Sequence, residues 1–140
     1  MSHPLVGDWS EHPLAIVVET VASPLLMSHP TPVYLDVDID NEIRLPVDPP
    51  SLCQVLDSLI RQALIEMPSG GELTITACET ATGVDIELAD TGRDIAERPC
   101  KLPMIAAAMS ADISWQNCPQ GGGAVTLSIP FYRQASRRAA

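Results

Sequence analysis

The sequence predicts an α/β (α+β) two-layer sandwich, a mixed and mostly antiparallel sheet with helices on one face. Three observations carry this expectation. A long apolar stripe at helical spacing runs from Leu52 to Met67, short runs alternating apolar and polar residues flank it, and Gly- or Pro-rich turns separate the runs. At 140 residues the chain has room for one domain that buries roughly two thirds of its unfolded surface, and for no second one. A hydrophobic share of 46% against 19% charged argues against global disorder, and five aromatics (Trp9, Tyr34, Trp115, Phe131, Tyr132) leave the core aliphatic.

Residues 1–12 hold Pro, Gly, Ser and His without periodicity and read as a loose lead-in. From Pro13, the apolar residues Leu14, Ile16, Val17, Val21 and Leu25 recur at helical intervals, and Pro24 and Pro30 close a short helix over about 13–25. Val33, Leu35, Val37 and Ile39 then alternate with Tyr34, Asp36, Asp38 and Asp40, the period of a strand with one buried and one acidic face. Asp36-x-Asp38-x-Asp40 is no calcium loop, because an EF-hand needs Gly and Glu where this chain has Asn41 and Val47.

Asp48-Pro49-Pro50 is an N-cap acid followed by proline in the first turn. Leu52, Val55, Leu56, Leu59, Ile60, Ala63, Leu64 and Met67 follow at i, i+3, i+4, i+7, i+8, i+11, i+12 and i+15, which makes one stripe along a helix over 50–67. Pro68-Ser-Gly-Gly71 ends it. Glu72–Cys78 and Val84–Ala89 read as a hairpin around Ala81-Thr-Gly83, and Asp90–Ile95 as a turn. Met104–Met109 reads as a helix, Asp112–Gln116 as a strand, Gly121–Gly123 as a tight turn and Ala124–Tyr132 as the last strand, alternating until Pro130. Residues 133–140 form a frayed tail, which leaves 13–132 as the domain.

Eighteen acids against eight bases give a net charge of −10, a field that repels phosphate backbones and anionic lipid, so no nucleic acid is expected as partner. Apolar runs such as Leu14–Val18 fall far short of the roughly 20 residues that cross a bilayer, so no membrane insertion and a soluble, cytoplasmic chain are expected. Cys53, Cys78, Cys100 and Cys118 contain no Cys-x-x-Cys pair and read as buried or idle thiols. His3, His12 and His29 stand isolated, with no carboxylate or cysteine at a catalytic or metal-ligating spacing.

From about residue 13 to 131 the order of elements and boxes resembles the ATP-binding domain of sensor histidine kinases, which share the Bergerat (GHKL) fold with DNA gyrase B. The fragments that carry the resemblance are Asp48-Pro-Pro-Ser-Leu-Cys-Gln-Val-Leu-Asp-Ser-Leu-Ile-Arg-Gln-Ala63 and Val84-Asp-Ile-Glu-Leu-Ala-Asp-Thr-Gly-Arg-Asp-Ile95. The resemblance implies that the long helix turns Ser58 and Gln62 toward a groove bordered by Asp90, at the positions of two family asparagines. The second of those helps to hold Mg²⁺, which makes Gln62 the candidate metal ligand, although its extra methylene displaces the amide oxygen. Read without the family, Ser58 and Gln62 are an ordinary solvated pair. Asp90 and Gly92 match the box whose Asp accepts from the adenine amino group, so ATP or ADP with Mg is the implied cofactor. Asp94 replaces that box's second Gly, which puts an acid near the phosphate side. The alternative for Asp90 is a turn aspartate capping the strand end. As an adenine acceptor it is expected to be a solvated turn-edge acid in the free protein, whose replacement abolishes nucleotide binding and barely lowers stability.

The family's long lid and its second Gly-x-Gly box are missing, since Ala96–Pro103 connects almost directly to Met104. The family's Gly-Thr becomes Gly121-Gly-Gly-Ala124, no His is followed by Glu or Asp as a phosphoacceptor helix requires, and no dimerisation helix pair precedes residue 13. The expected function is therefore a degenerate ATP-binding domain in two-component-like signalling. It would act as a regulatory or docking module with weak or no ATP turnover, its partner a response regulator or phosphoacceptor domain. The alternatives are an active domain phosphorylating a histidine on a separate domain or chain, and a structural remnant of a larger protein.

Overall fold

The computed structural model describes residues 11–131. The lead-in and tail expected from the sequence, with His3, Trp9 and Tyr132, lie outside these residues except for Glu11 and His12. The elements run α1 (Leu14–Met27), β1 (Val33–Asp38), α2 (Pro49–Ile65), β2 (Gly71–Glu79), β3 (Gly83–Asp90), a 3₁₀ turn at Ile95–Glu97, α3 (Ile105–Ala108), β4 (Asp112–Asn117) and β5 (Gly123–Pro130). One five-stranded sheet has the order β1-β2-β3-β5-β4. β1 and β2 are parallel, which requires the crossover that α2 supplies, and every other pair is antiparallel. This is the two-layer α/β architecture the sequence predicts.

α2 forms where its cap and stripe say it should. Asp48 accepts from the Ser51 N–H (3.1 Å) and Ser51 Oγ (2.9 Å), Pro49 and Pro50 occupy the first turn, and Leu52, Val55, Leu56, Leu59, Ile60, Ala63 and Leu64 are buried. These residues pack on the inward row of the sheet, where Leu73 and Ile75 lie beside Leu88, Ile86, Val125 and Leu127. Burying each such leucine or isoleucine contributes about 1.5–3 kcal/mol relative to leaving it in water. α2 ends two residues before Met67, with Glu66 at its C-cap, yet Met67 remains buried beneath the turn that follows.

α1 differs from expectation in two ways. Pro24 lies inside the helix rather than closing it, because its missing N–H forfeits one bond while Leu25 and Leu26 beyond it still pack on the core. Its buried stripe is Leu14, Ala15, Val18 and Ala22, and Ile16 points to solvent at 55% exposure, being almost opposite Leu14 on the helical wheel.

Among the described residues, no helix packs on the outer face of the sheet. By register that face carries Asp36, Asp38, Glu72, Asp85, Glu87 and Asp112 among threonines and serines. No helix of the described residues is long and apolar enough to cross a membrane.

Candidate functional site

Asp90 is the last residue of β3 and faces the helical layer, because it follows Val84, Ile86 and Leu88 at the strand's period of two. Its carboxylate accepts from the Gly92 N–H at 2.8 Å, which folds the chain back in an Asx turn. The main partner is Arg98: Nη1 donates to Oδ2 at 2.8 Å and Nη2 to Oδ1 at 2.6 Å, with the two side chains 6% and 3% exposed. A two-pronged contact of this kind is a charge-assisted pair, roughly twice as strong per bond as a neutral hydrogen bond. The Gly123 N–H adds a long contact at 3.4 Å. Asp90 is thus a buried, paired acid and not the solvated turn residue expected, because the chain brings its own cation.

Arg98 is itself fully engaged. Its Nε and Nη2 also donate to the Arg93 carbonyl, at 2.8 and 2.5 Å. The hydrogen bond to Asp90 raises its pKa above the ordinary arginine value, with burial opposing and the Asp90 charge reinforcing, so it remains cationic at any physiological pH. Gly123 makes the seat possible: a Cβ there would stand 2.5 Å from Ile95 Cδ1 and 2.9 Å from Arg98 Cζ.

Beside this pair, Arg93 Nε donates to Glu66 Oε1 at 2.7 Å, joining the turn after β3 to the C-cap of α2. Glu66 is 4% exposed, and the Arg93 guanidinium is held charged by that hydrogen bond first and by the Glu66 charge second. Gly92 packs on the same helix end, where a Cβ would come within 2.5 Å of the Glu66 carbonyl oxygen. Its lack of a side chain serves that approach in this structure.

Gln62 is turned inward, one helical turn after Ser58, whose Oγ accepts from Gln62 Nε2 at 3.4 Å. Both ends of the Gln62 amide pair with one residue of the connector: Nε2 donates to the Lys101 carbonyl at 2.8 Å, and the Lys101 N–H donates to Oε1 at 3.0 Å. The half-buried Gln62 amide is accordingly paired at both ends with the Lys101 main chain. Between the anchors at Arg98 and Lys101, Cys100 is left-handed at φ 48°, a conformation costing a non-glycine residue on the order of 1–2 kcal/mol. Burial raises the thiol pKa of Cys100 first, with Arg98 opposing, and burial likewise raises Cys53 and Cys118. None of the four cysteines is fully buried, and Cys78 is exposed.

Asp94 caps the 3₁₀ turn through the Ala96 N–H (2.9 Å) and accepts from Asn117 Nδ2 (3.3 Å), which fastens the connector to β4. What remains between α2, β3, β4 and the connector is a cavity of about 100 Å³, with Gln62, Asp90 and Arg98 in its wall beside Leu59, Trp115 and Val125. Among the described residues, no group of three or more His, Cys, Asp or Glu stands ready to hold a metal ion.

The structure brings Gln62 and Asp90 to the wall of one cavity, as the sequence reading expected of them, together with Arg98 and Lys101 and beside the Glu66–Arg93 pair, which it had not singled out. The available signal was a cation left in the shortened connector, a few residues after an acid that faces inward, in a chain poor in bases.

The fold built around this site is that of histidine-kinase catalytic domains. The blue-light activated histidine kinase of Erythrobacter litoralis matches at a TM-score of 0.72 and 17% identity over 89% of this chain and 43% of its own. The catalytic domain of histidine kinase ThkA, in a nucleotide-free form, matches at 0.66 and 18% over 85% of this chain and 94% of its own. Histidine kinase AdeS of Acinetobacter baumannii matches at 0.69 and 20% over 86% and 66%. The chain therefore spans less than half of the first protein and nearly all of the isolated ThkA domain. No family model matches the sequence, and no curated protein matches it.

The residues present do not fit Mg-ATP as they stand. The acid that would receive the base is covered by Arg98, the amide that would approach the metal is spent on Lys101, and the cavity of about 100 Å³ is well below the roughly 300–1,000 Å³ typical of small-molecule sites.

Proposed function

We infer that this chain works in two-component-like signalling as a regulatory or docking module on the histidine-kinase catalytic fold, without ATP turnover. The observation that carries the reading is the occupation of Asp90 by Arg98. Phosphoryl transfer is mostly positioning and electrostatic stabilisation, so a site that cannot seat the base or clamp Mg²⁺ lacks the means. The partner would be a response regulator or a phosphoacceptor domain, met through the exterior of the fold. Its surface is the opposite of a nucleic-acid binder's, with a net charge of −10 and an acidic outer sheet face.

Two measurements test this reading. Mg-ATP, compared with Mg²⁺ alone, should leave the melting temperature unchanged, since a ligand that binds only the folded state must raise it. Labelled ATP, incubated with the chain and a histidine phosphoacceptor domain, should transfer no label. Transfer would establish instead an active kinase domain working on a histidine of another domain or chain.

A further inference from the structure

We propose that the outer edge of β4 is a self-docking edge, on which a second copy of this chain adds its own β4 in antiparallel register about a twofold axis through Ser114, doubling the five-stranded sheet.

Both end strands of the sheet have an open side. Among the described residues, no strand pairs beyond β1 or β4, and no loop main chain bonds to that of Val33–Asp38 or Asp112–Asn117. An unpaired edge is a template for another strand unless charge, proline or a bulge blunts it. β1 is blunted: its outward residues are Tyr34, Asp36 and Asp38, so two copies set side by side there would crowd their aspartates together. β4 reads Asp112-Ile-Ser-Trp-Gln-Asn117, with no proline, no base and a single acid at its end. The acids of the outer face also thin out toward this edge. Asp36, Asp38, Glu72, Asp85 and Glu87 stand on β1, β2 and β3, whereas β5 turns Ala124, Thr126 and Ser128 outward. The net charge of −10 therefore opposes self-pairing least at β4.

β4 is also complementary to itself. Pairing centred on Ser114 sets Ile113 opposite the partner's Trp115 on the helical side, and Asp112 opposite the partner's Gln116 on the outer side. The two Asp112 carboxylates then lie four residues apart along the strands, roughly 14 Å at about 3.4 Å per residue and beyond a screening length of about 8–10 Å. Ile113 and Trp115 face the helical layer yet are only half-buried, while Ile86, Leu88 and Leu127 on the inner strands are fully buried. The flank that β4 leaves open is the one a further strand covers.

A strand edge of 6 residues is small beside the roughly 800 Å² per partner of a standard interface. A twofold axis perpendicular to the sheet keeps both helical layers on one side, where α3 contacts β4 and the preceding Leu102 and Met104 are 64% and 94% exposed. That ledge offers further apolar area, and a weak dimer is expected, with a Kd between about 1 μM and 1 mM.

The test uses the whole 140-residue chain unmodified, as Ser114→Lys, as Ser114→Glu, and as an equimolar mixture of the two variants. Sedimentation velocity from about 1 μM to about 1 mM reads the mass, and hydrogen exchange reads the β4 amides. The unmodified chain should pass from monomer to dimer over this range, its β4 amides exchanging more slowly as concentration rises. Each variant alone sets like charges face to face at the axis and should pair at least about tenfold more weakly. The mixture sets opposite charges there and should recover the dimer. Ser114 is exposed, so both variants should melt as the unmodified chain does. If either fails to fold, the concentration dependence of β4 exchange in the unmodified chain decides alone.

A chain still monomeric at about 1 mM would overturn the proposal. So would a dimer that both variants keep, since it would pair through another surface, or variants whose mixture stays monomeric. β4 amides equally protected at every concentration would assign the edge to a segment of the same chain, and would overturn it too.

Discussion

Asp90 and Arg98 form a buried two-pronged ion pair at 2.6 and 2.8 Å, joining the end of β3 to the connector that leads to α3. The pair makes the site a structural element. Removing one partner leaves the other charge buried without compensation, which is worse than never having buried either.

Asp90→Ala is therefore expected to destabilise the fold by about 3–5 kcal/mol, contrary to the small effect that a solvated turn acid would have. For a domain of this size that is a drop of roughly 10–20 °C in melting temperature. A loss below about 1 kcal/mol in a denaturant titration would mean that Arg98 finds other partners or water without cost.

Much of the fold was legible because its signals are local. The stripe from Leu52 to Leu64 needs only the helical period, the cap at Asp48 needs only its next three residues, and the β2–β3 hairpin needs only alternation around a turn. Gln62 was legible through helical spacing joined to the family resemblance, whereas Asp90 came from the resemblance alone, since the sequence reading put it in a turn and the structure has it as the last residue of β3. The site was illegible where two distant segments meet. Gln62 and Lys101 are 39 residues apart, and no periodicity links them. Arg98 reaches Asp90 because the chain doubles back through the Gly92 turn and the 3₁₀ turn, and nothing in spacing states that reversal. Pro24 misled for a related reason, since core packing beyond it outweighed the local rule.

The cap at Asp48 gives a second expectation. Its carboxylate satisfies the Ser51 N–H at the start of the helix that carries Ser58 and Gln62. Asp48→Ala should cost about 0.5–2 kcal/mol in a thermal or denaturant melt, and Asp48→Ser less. Equal losses from both would show that the two prolines, and not the cap, fix the helix start.

The thiols give a pH dependence. Burial raises Cys53, Cys100 and Cys118 above the ordinary value of 9.0, so the folded chain holds these protons more tightly than the unfolded one. Their contribution to stability is complete below the unfolded value and is lost as pH climbs from there through the folded values. Denaturant midpoints should accordingly be flat from pH 7 to about 8.5 on this account and fall above about pH 9, less steeply in Cys→Ser variants of the three. At neutral pH a thiol reagent should modify exposed Cys78 first. Faster modification of Cys100 would contradict its raised pKa.

Gln62→Asn separates the two anchors of the connector. It withdraws the amide by one methylene from a main chain it now meets at 2.8 and 3.0 Å. Two partly exposed hydrogen bonds would be lost, at about 0.5–1.5 kcal/mol each before solvent recovers some of it. The Lys101 amide should then exchange with deuterium markedly faster, while the slow exchange of the core amides on β3 changes little. Arg98 stays on Asp90 in this variant, so Mg-ATP should still leave the melting temperature where Mg²⁺ alone leaves it. A nucleotide-dependent rise in Gln62→Asn would mean that the amide position, and not the covered acid, keeps the ligand out. The block would then be assigned to Lys101 in place of Arg98.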